Sequence, residues 1–165
     1  NGLPQIIHID KKNKKKTYLK FKDPSYAAFL TSNSSKYEST SFKYGYSSLN
    51  TPLTIYSYNS LSGKKKKLWQ EKFNNFNETG YETKRIIIKA RDGEKIPISL
   101  IHKKGINLKS APLLMYGYGS YGLIVEPSFK LSFLPLVDDG FIFAISHIRG
   151  GQDMGRDWYL SLIHI

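Results

Sequence analysis

The chain has 165 residues, of which 40% are hydrophobic and 14% aromatic, so it can bury a core and is not compositionally disordered. It has no cysteine, which excludes disulfide bonds and thiolate metal sites. The formal net charge of +12 would suit a nucleic-acid partner, but lysine outnumbers arginine by 21 to 4. Because arginine is preferred for bidentate contacts to phosphates and bases, we expect no nucleic-acid partner.

The sequence does not indicate a membrane segment or a bound cofactor. No apolar run approaches the roughly 18 residues that a membrane helix needs, and the N-terminus lacks the charged-then-apolar pattern of a signal peptide. His8, His102 and His147 are widely spaced and form no local metal pattern. We expect a cytoplasmic protein with no cofactor, metal or membrane partner, and the sequence makes no prediction of oligomeric state.

Residues 1–70 are predicted to form antiparallel sheet. Lysine runs at 11–16 and 64–67 lie between strand-like segments, where hairpin tips would place them in water, and Asn50-Thr51-Pro52 is predicted to be a turn. Short strands with regularly spaced turns are typical of a propeller blade, a sandwich or a barrel. The predicted strands are 5–10, 17–21, 25–31, 41–47, 53–58 and 67–70.

The pattern changes after a polar segment that ends near residue 84. Predicted strands at 85–90 and 95–101 flank a tight turn, and the short apolar run 112–116 predicts a buried strand. Residues 128–137 fit a helix with a broad apolar face despite Pro135, and the continuously apolar run 141–148 fits a parallel strand covered on both faces. Strand, loop, helix and strand in this order predict a crossover and the start of an α/β domain.

A loop of alternating glycines and tyrosines follows the strand at 112–116. Glycine leaves backbone N–H groups uncrowded, and the phenol hydroxyls add donors, so the loop suits an anion. Gly117, Gly119 and Gly122 match the G-x-G-x-x-G fingerprint of a dinucleotide site, although the bulky Tyr118 and Tyr121 and the delayed helix count against it. The alternative is an oxyanion loop. In α/β-hydrolases such a loop comes after the third strand, and here Tyr118 would be its hydroxyl donor.

Other polar residues are expected to be structural. Ser120 is not a nucleophile elbow, because Tyr118 stands where G-x-S-x-G requires glycine. His147 ends an apolar strand and is expected to be a hydrogen-bonded core or strand-end residue. Asp153 and Asp157 are expected to form local ion pairs or turns.

Several motifs in one order resemble the prolyl oligopeptidase family of serine peptidases, in its oligopeptidase B branch. They are Y-G-Y-G-S-Y-G at 116–122, D-G-F at 139–141, H-I-R-G-G at 147–151 and M-G-R-D-W-Y at 154–159, with further similarity at 42–52 and 90–93. The resemblance implies the end of a seven-bladed β-propeller with its linker over 1–78, and the start of an α/β-hydrolase peptidase domain over 79–159. Both parts would be incomplete.

The resemblance also implies a function. Family members cleave short peptides with a Ser-Asp-His triad, after Arg or Lys in the oligopeptidase B branch and after Pro in the prolyl branch. In the family the second tyrosine of Y-G-Y-G donates its hydroxyl to the oxyanion, and Tyr118 holds that position and would have that role. The position of Tyr121 lines the primary specificity pocket in the prolyl branch. The partners expected are short peptide substrates.

The sequence departs from the family pattern toward its end. The nucleophile motif G-G-S-x-G-G is absent, as are the segments for the triad Asp and His, so this chain alone is predicted to be an inactive fragment. Residues 160–165, which include His164, depart from the family after Trp158-Tyr159 and are interpreted as an artefactual tail.

Overall fold

The computed structural model describes residues 2–31 and 38–161, in which β-strands dominate. Two 3₁₀ turns, Glu78–Gly80 and Leu131–Phe133, accompany the regular elements. The strands are β1 Ile7–Ile9, β2 Lys16–Tyr18, β3 Ala27–Leu30, β4 Ser41–Ser48, β5 Thr51–Asn59, β6 Lys65–Gln70, β7 Tyr81–Lys89, β8 Lys95–Lys103, β9 Leu113–Gly117 and β10 Ile142–Ser146, and the helices are α1 Leu134–Asp138 and α2 Arg156–Leu160.

The first half of the chain forms a hairpin and an antiparallel four-stranded sheet, as predicted. β1 pairs with β2, and the sheet runs in chain order β3-β4-β5-β6. The prediction of a turn at residues 50–52 is wrong, because β5 already begins at Thr51, which pairs with Ser48. Pro52 has no N–H to donate, yet it is tolerated because it is the second residue of a strand whose pairing with β4 is irregular.

The two lysine runs occupy different kinds of position. The run at 11–16 forms the exposed turn of the β1–β2 hairpin, as predicted. In the run at 64–67, however, Lys65, Lys66 and Lys67 belong to β6, so its placement at a hairpin tip is wrong. β6 is an edge strand, and lysines on an edge discourage pairing with another chain, which accounts for a charged run within a strand.

The second half forms a mixed sheet with strand order β7-β8-β10-β9. β7 and β8 are an antiparallel hairpin paired along its whole length, from Tyr81 opposite Lys103 to Lys89 opposite Lys95. β10 is antiparallel to β8 and parallel to β9. The predicted crossover is therefore present between β9 and β10, and it places the carboxyl ends of these two strands at one edge of the sheet.

Two sequence predictions in the second half need correction. The helix predicted over 128–137 is shorter, because Pro135 is accommodated only in the first turn of α1 and Lys130 is extended. The apolar run predicts a buried β9, yet all five of its residues are exposed. Within residues 2–31 and 38–161, β9 is an edge strand that pairs with β10 alone, so its apolar character does not reflect burial in this part of the fold.

Two apolar cores lie under the sheets. The core of the first half is rich in tyrosine and includes Tyr44, Tyr46 and Tyr58. The second core packs α1 against the mixed sheet and also takes in Leu49, which is fully buried although it belongs to the β4–β5 turn. The halves are also joined by the Ser47 hydroxyl, which accepts the backbone N–H of Phe129 at 2.9 Å. The two sheets are thus packed together through both apolar and polar contacts.

None of the helices in the described part of the chain has the length and apolar character of a transmembrane span. A cytoplasmic location stays a prediction. The predicted tail at 160–165 falls largely outside the described residues, and so does His164; within it, Leu160 ends α2 and Ser161 follows the helix.

Candidate active site

The Gly/Tyr loop, residues 117–122, leaves the carboxyl end of β9. In the parallel pair, Tyr116 is in register with Ile145 and Gly117 with Ser146. The loop therefore lies beside residues 147–153, which leave the adjacent end of β10. The Arg-Gly-Gly turn (residues 149–151) belongs to that neighbouring segment.

Two glycines of the loop allow it to dock on the Arg-Gly-Gly turn. A Cβ on Gly119 would lie 2.3 Å from the carbonyl oxygen of Arg149 and 2.8 Å from the Ile148 side chain, so only glycine fits there. Gly122 has a φ of +68°, and its N–H donates to the carbonyl of Gly150 at 2.9 Å. The glycine spacing thus serves a backbone-to-backbone contact within the protein.

This geometry does not favour the dinucleotide hypothesis. A phosphate site of that type places the pyrophosphate on the N-terminus of the helix that opens directly after the glycine loop. Here the next helix, α1, begins only at Leu134 and has five residues. The glycines contact residues 148–152 instead, so the loop is not arranged as a phosphate cradle.

Tyr118 lines an open cavity of about 650 Å³. The residue is 37% exposed, and its hydroxyl has no hydrogen-bond partner among residues 2–31 and 38–161. The cavity carries charges of both signs, from the Glu126 carboxylate and the Lys130 ammonium group, beside apolar side chains such as Leu123. A tyrosine whose hydroxyl is free to donate therefore lines a space that can hold a ligand.

Tyr121, the second predicted site residue, has a different environment. It adopts a φ of +55°, in the left-handed region, and its side chain is 83% exposed. It does not contribute to the lining of the cavity at Tyr118. The described residues thus bring Tyr118, and not Tyr121, to that cavity.

A buried polar network lies directly behind the loop. His147 Nδ1 is 2.8 Å from Asp153 Oδ1, and His147 Nε2 is 2.7 Å from the hydroxyl of Ser99 on β8. Because the carboxylate accepts, Nδ1 carries the proton, and in a neutral ring Nε2 accepts the Ser99 hydroxyl. The expectation that His147 is a hydrogen-bonded residue of the core or strand end is confirmed, and Asp153 makes a local hydrogen bond to it.

Two further groups complete the network. The Ser99 hydroxyl accepts from Arg85 Nη1 at 3.0 Å and lies 2.8 Å from the hydroxyl of Ser25, which precedes β3. Burial lowers the pKa of Arg85, and the charge of Asp153 opposes that shift. The buried carboxylate is therefore balanced by a nearby guanidinium group.

The order Ser99–His147–Asp153 matches the hydrogen-bonding order of a catalytic triad, but its location excludes that role. Ser99 is 0% exposed and His147 is 2% exposed, so a substrate carbonyl cannot reach the hydroxyl. Sequence reasoning did not identify Ser99. The only sequence signal for Ser99 was that a small hydroxyl residue lies within the apolar strand β8. Because Ser99 is far from His147 in sequence, this signal did not indicate their contact.

The remaining candidates have structural partners. Arg149 forms an ion pair with Asp92, at 2.5 Å between Nη1 and Oδ2, and the pKa of Asp92 is lowered by the backbone N–H of Glu94 and by Arg149. His102 is buried and its Nδ1 donates to the carbonyl of Lys103. Across residues 2–31 and 38–161, no cluster of His, Asp and Glu side chains has the grouping of a metal site.

The fold and the site together define a class: propeller-type antiparallel sheet followed by the first strands of an α/β-hydrolase, with a tyrosine-bearing loop after the third hydrolase strand. A family model described as the N-terminal β-propeller domain of prolyl oligopeptidase matches residues 1–71.

Individual relatives extend this similarity over nearly the whole chain. Dipeptidyl aminopeptidase BI of Pseudoxanthomonas mexicana is 36% identical over 157 residues, 94% of this chain and 22% of that protein. Protease 2 of Moraxella lacunata is 31% identical over 163 residues, 96% of this chain and 23% of that protein. The structure of oligopeptidase B from Trypanosoma brucei with covalently bound antipain superposes with a TM-score of 0.85 at 37% identity, covering 98% of this chain and 24% of that one.

The chain belongs to the prolyl oligopeptidase family of serine peptidases and is oligopeptidase B-like. The predicted fold class, propeller sheet followed by the start of an α/β-hydrolase, is confirmed. The chain spans 22–24% of the length of these relatives.

Proposed function

We propose that this chain is part of a serine peptidase that hydrolyses short peptides after arginine or lysine, with Tyr118 donating its hydroxyl to the oxyanion. The observation that carries the proposal is the position of Tyr118. Tyr118 lines an open cavity, and its hydroxyl has no hydrogen-bond partner within residues 2–31 and 38–161; it follows the third hydrolase strand, on a loop held by glycine contacts to the neighbouring turn.

The chemistry follows from where negative charge develops. When a serine attacks a peptide carbonyl, the carbonyl oxygen becomes an oxyanion, and a donor already in place stabilises the transition state more than the substrate. The phenol of Tyr118 is such a donor, and a backbone N–H would be the second. The nucleophile, the aspartate and the histidine of the triad would lie outside this chain, so we expect no hydrolysis by the chain alone.

The preference for basic residues rests on the resemblance to the oligopeptidase B branch, whose members cleave after Arg or Lys; relatives named Protease 2 and oligopeptidase B are consistent with it. The acidic residues expected to bind a basic substrate side chain would lie outside this chain. We further propose that the propeller part with its linker covers residues 1–78 and the peptidase part residues 79–159, a division supported by the polar segment between β6 and β7.

A prolyl-specific peptidase is the second candidate. Prolyl endopeptidase of Elizabethkingia meningoseptica is 30% identical over 117 residues, 70% of this chain. The exposed ring of Tyr121, whose position lines the specificity pocket in the prolyl branch, is compatible with that alternative.

Steady-state kinetics on the full-length protein that contains this chain separate the candidates. The substrates are fluorogenic peptides that differ only in having arginine, lysine, proline or alanine before the cleaved bond. We expect kcat/KM for arginine and lysine to exceed that for proline by at least about a hundredfold, because a proline substrate cannot make the charge-assisted contact that a basic side chain makes. A higher kcat/KM for proline would replace the proposal with the prolyl alternative. No hydrolysis together with saturable binding of NAD(P) would support a dinucleotide module instead.

A further inference from the structure

The buried network and the Gly/Tyr loop are connected through one short segment of backbone. Residues 148–152 leave the network at His147 and return to it at Asp153, so the hydrogen bond between these two side chains closes that segment into a loop. The segment is also held from outside, because Trp158 Nε1 donates to the carbonyl of His147 at 3.3 Å and Gly150 N donates to the carbonyl of Trp158 at 3.1 Å. The path of this backbone is therefore fixed at both ends and in the middle.

The same backbone is the surface on which the Gly/Tyr loop rests. Gly119, the neighbour of Tyr118, packs against the carbonyl of Arg149 so closely that a Cβ would not fit. Gly122 donates its N–H to the carbonyl of Gly150. A shift of the Arg-Gly-Gly turn would therefore move the loop and the hydroxyl of Tyr118 with it.

We propose that His147 is a positioning residue for Tyr118, which acts through the Arg-Gly-Gly turn and is itself oriented by Asp153 and Ser99. The inference rests on the proposed role of Tyr118 as oxyanion donor. The burial of His147 and Ser99 excludes direct contact with substrate, whereas their location behind the turn suits a role in aiming the donor. Misplacement of a catalytic group by about 1 Å can cost up to a hundredfold in rate, so a buried hydrogen bond behind the loop can control kcat.

A double-mutant cycle in the full-length peptidase tests the inference. The variants are His147→Gln, which removes the hydrogen bond to Asp153, Tyr118→Phe, and both together. We expect His147→Gln alone to lower kcat about tenfold with KM within about twofold. In the Tyr118→Phe background, His147→Gln is expected to lower kcat by less than about twofold, because the hydroxyl that His147 positions is already absent.

His102→Gln is the matched control. His102 is also buried, at 3% exposure, and lies at the end of β8, but it does not touch the Arg-Gly-Gly turn. We expect it to lower the melting temperature without changing kcat. If His147→Gln does not fold, Asp153→Ala opens the same closed segment and takes its place in the cycle.

Amide hydrogen exchange at Gly122 gives a readout independent of activity. Its N–H donates to Gly150 O, so His147→Gln is expected to speed its exchange by at least about tenfold, and His102→Gln is not. If His147→Gln lowers kcat equally with and without the Tyr118 hydroxyl, or leaves amide exchange at Gly122 unchanged, the positioning role of His147 is overturned. An unchanged kcat in Tyr118→Phe alone would instead overturn the donor role, while Gly122 exchange would still report whether His147 holds the loop.

Discussion

Tyrosine serves two different purposes in this chain, and the surroundings of the hydroxyl decide which. Tyr81 is buried in the second core, and its hydroxyl donates to Asp138 at 3.0 Å. Burial and this hydrogen bond raise the pKa of Tyr81 to about 12. Tyr118 is partly exposed to solvent, and its hydroxyl has no hydrogen-bond partner among the described residues. The hydroxyl is therefore available to donate a hydrogen bond to a ligand.

The buried tyrosines make stability depend on alkaline pH. Burial also raises the pKa of Tyr44 to about 12. Because both folded-state values lie above the ordinary value of about 10, their contribution to stability is fully present below pH 10 and is lost as the pH rises through about 12. We expect melting temperatures to fall over that interval, and the ultraviolet absorbance of phenolate to show late-titrating tyrosines whose amplitude Tyr81→Phe reduces. Ionisation of every tyrosine near pH 10 in the folded protein would contradict this.

At the scale of elements, the glycines of the Gly/Tyr loop show what could be predicted from sequence. The positions of the strand, the loop and the following crossover agree with the prediction, because apolar runs and glycine clusters are local signals, whereas the predicted burial of the strand is wrong. The helix over 128–137 was placed too early because Pro135 limits where α1 can begin. The network of Ser99, His147 and Asp153 could not be predicted, since it is created by the pairing of β8 with β10 and has no local pattern.

The contact between the Gly/Tyr loop and the Arg-Gly-Gly turn predicts different effects for two neighbouring glycines. Gly119→Ala would place a Cβ 2.3 Å from a backbone oxygen, whereas the nearest atom to a Cβ on Gly117 is at 3.5 Å, an ordinary contact. We expect Gly119→Ala to cost about 1–3 kcal/mol of free energy of unfolding, as overpacking does, and Gly117→Ala to cost less than about 1 kcal/mol. Thermal unfolding of the two full-length variants checks this, and equal melting temperatures would mean that the loop does not rest on the turn.

At the scale of the whole molecule, the propeller-type sheet and the hydrolase sheet share structure. Leu49 comes from the β4–β5 turn but is fully buried among residues of the second core, such as Ile101 and Val137. The buried contact between Ser25 and Ser99 also crosses between the two halves. The sequence predicts both halves and their order, but not these contacts, because residues that meet between the two halves carry no shared periodicity.

The shared core predicts that one residue of the first half stabilises the second. Leu49→Ala removes a fully buried side chain, and we expect a cost of about 2–5 kcal/mol of free energy of unfolding. Leu61→Ala, in the β5–β6 turn and 81% exposed, is the matched control and should have little effect. Calorimetry of the full-length variants provides the measurement, and a loss no greater for Leu49→Ala than for Leu61→Ala would argue against a core shared by the two halves.

The proposed donation of the Tyr118 hydroxyl to the oxyanion can be measured through the steady-state kinetics of Tyr118→Phe in the full-length peptidase. Phenylalanine keeps the ring and removes only the hydroxyl, so the cavity and the loop are preserved. Loss of one such donor costs about 3 kcal/mol of transition-state stabilisation, which corresponds to about a hundredfold lower kcat with KM much less affected. A kcat unchanged from that of the unmodified enzyme would contradict the account.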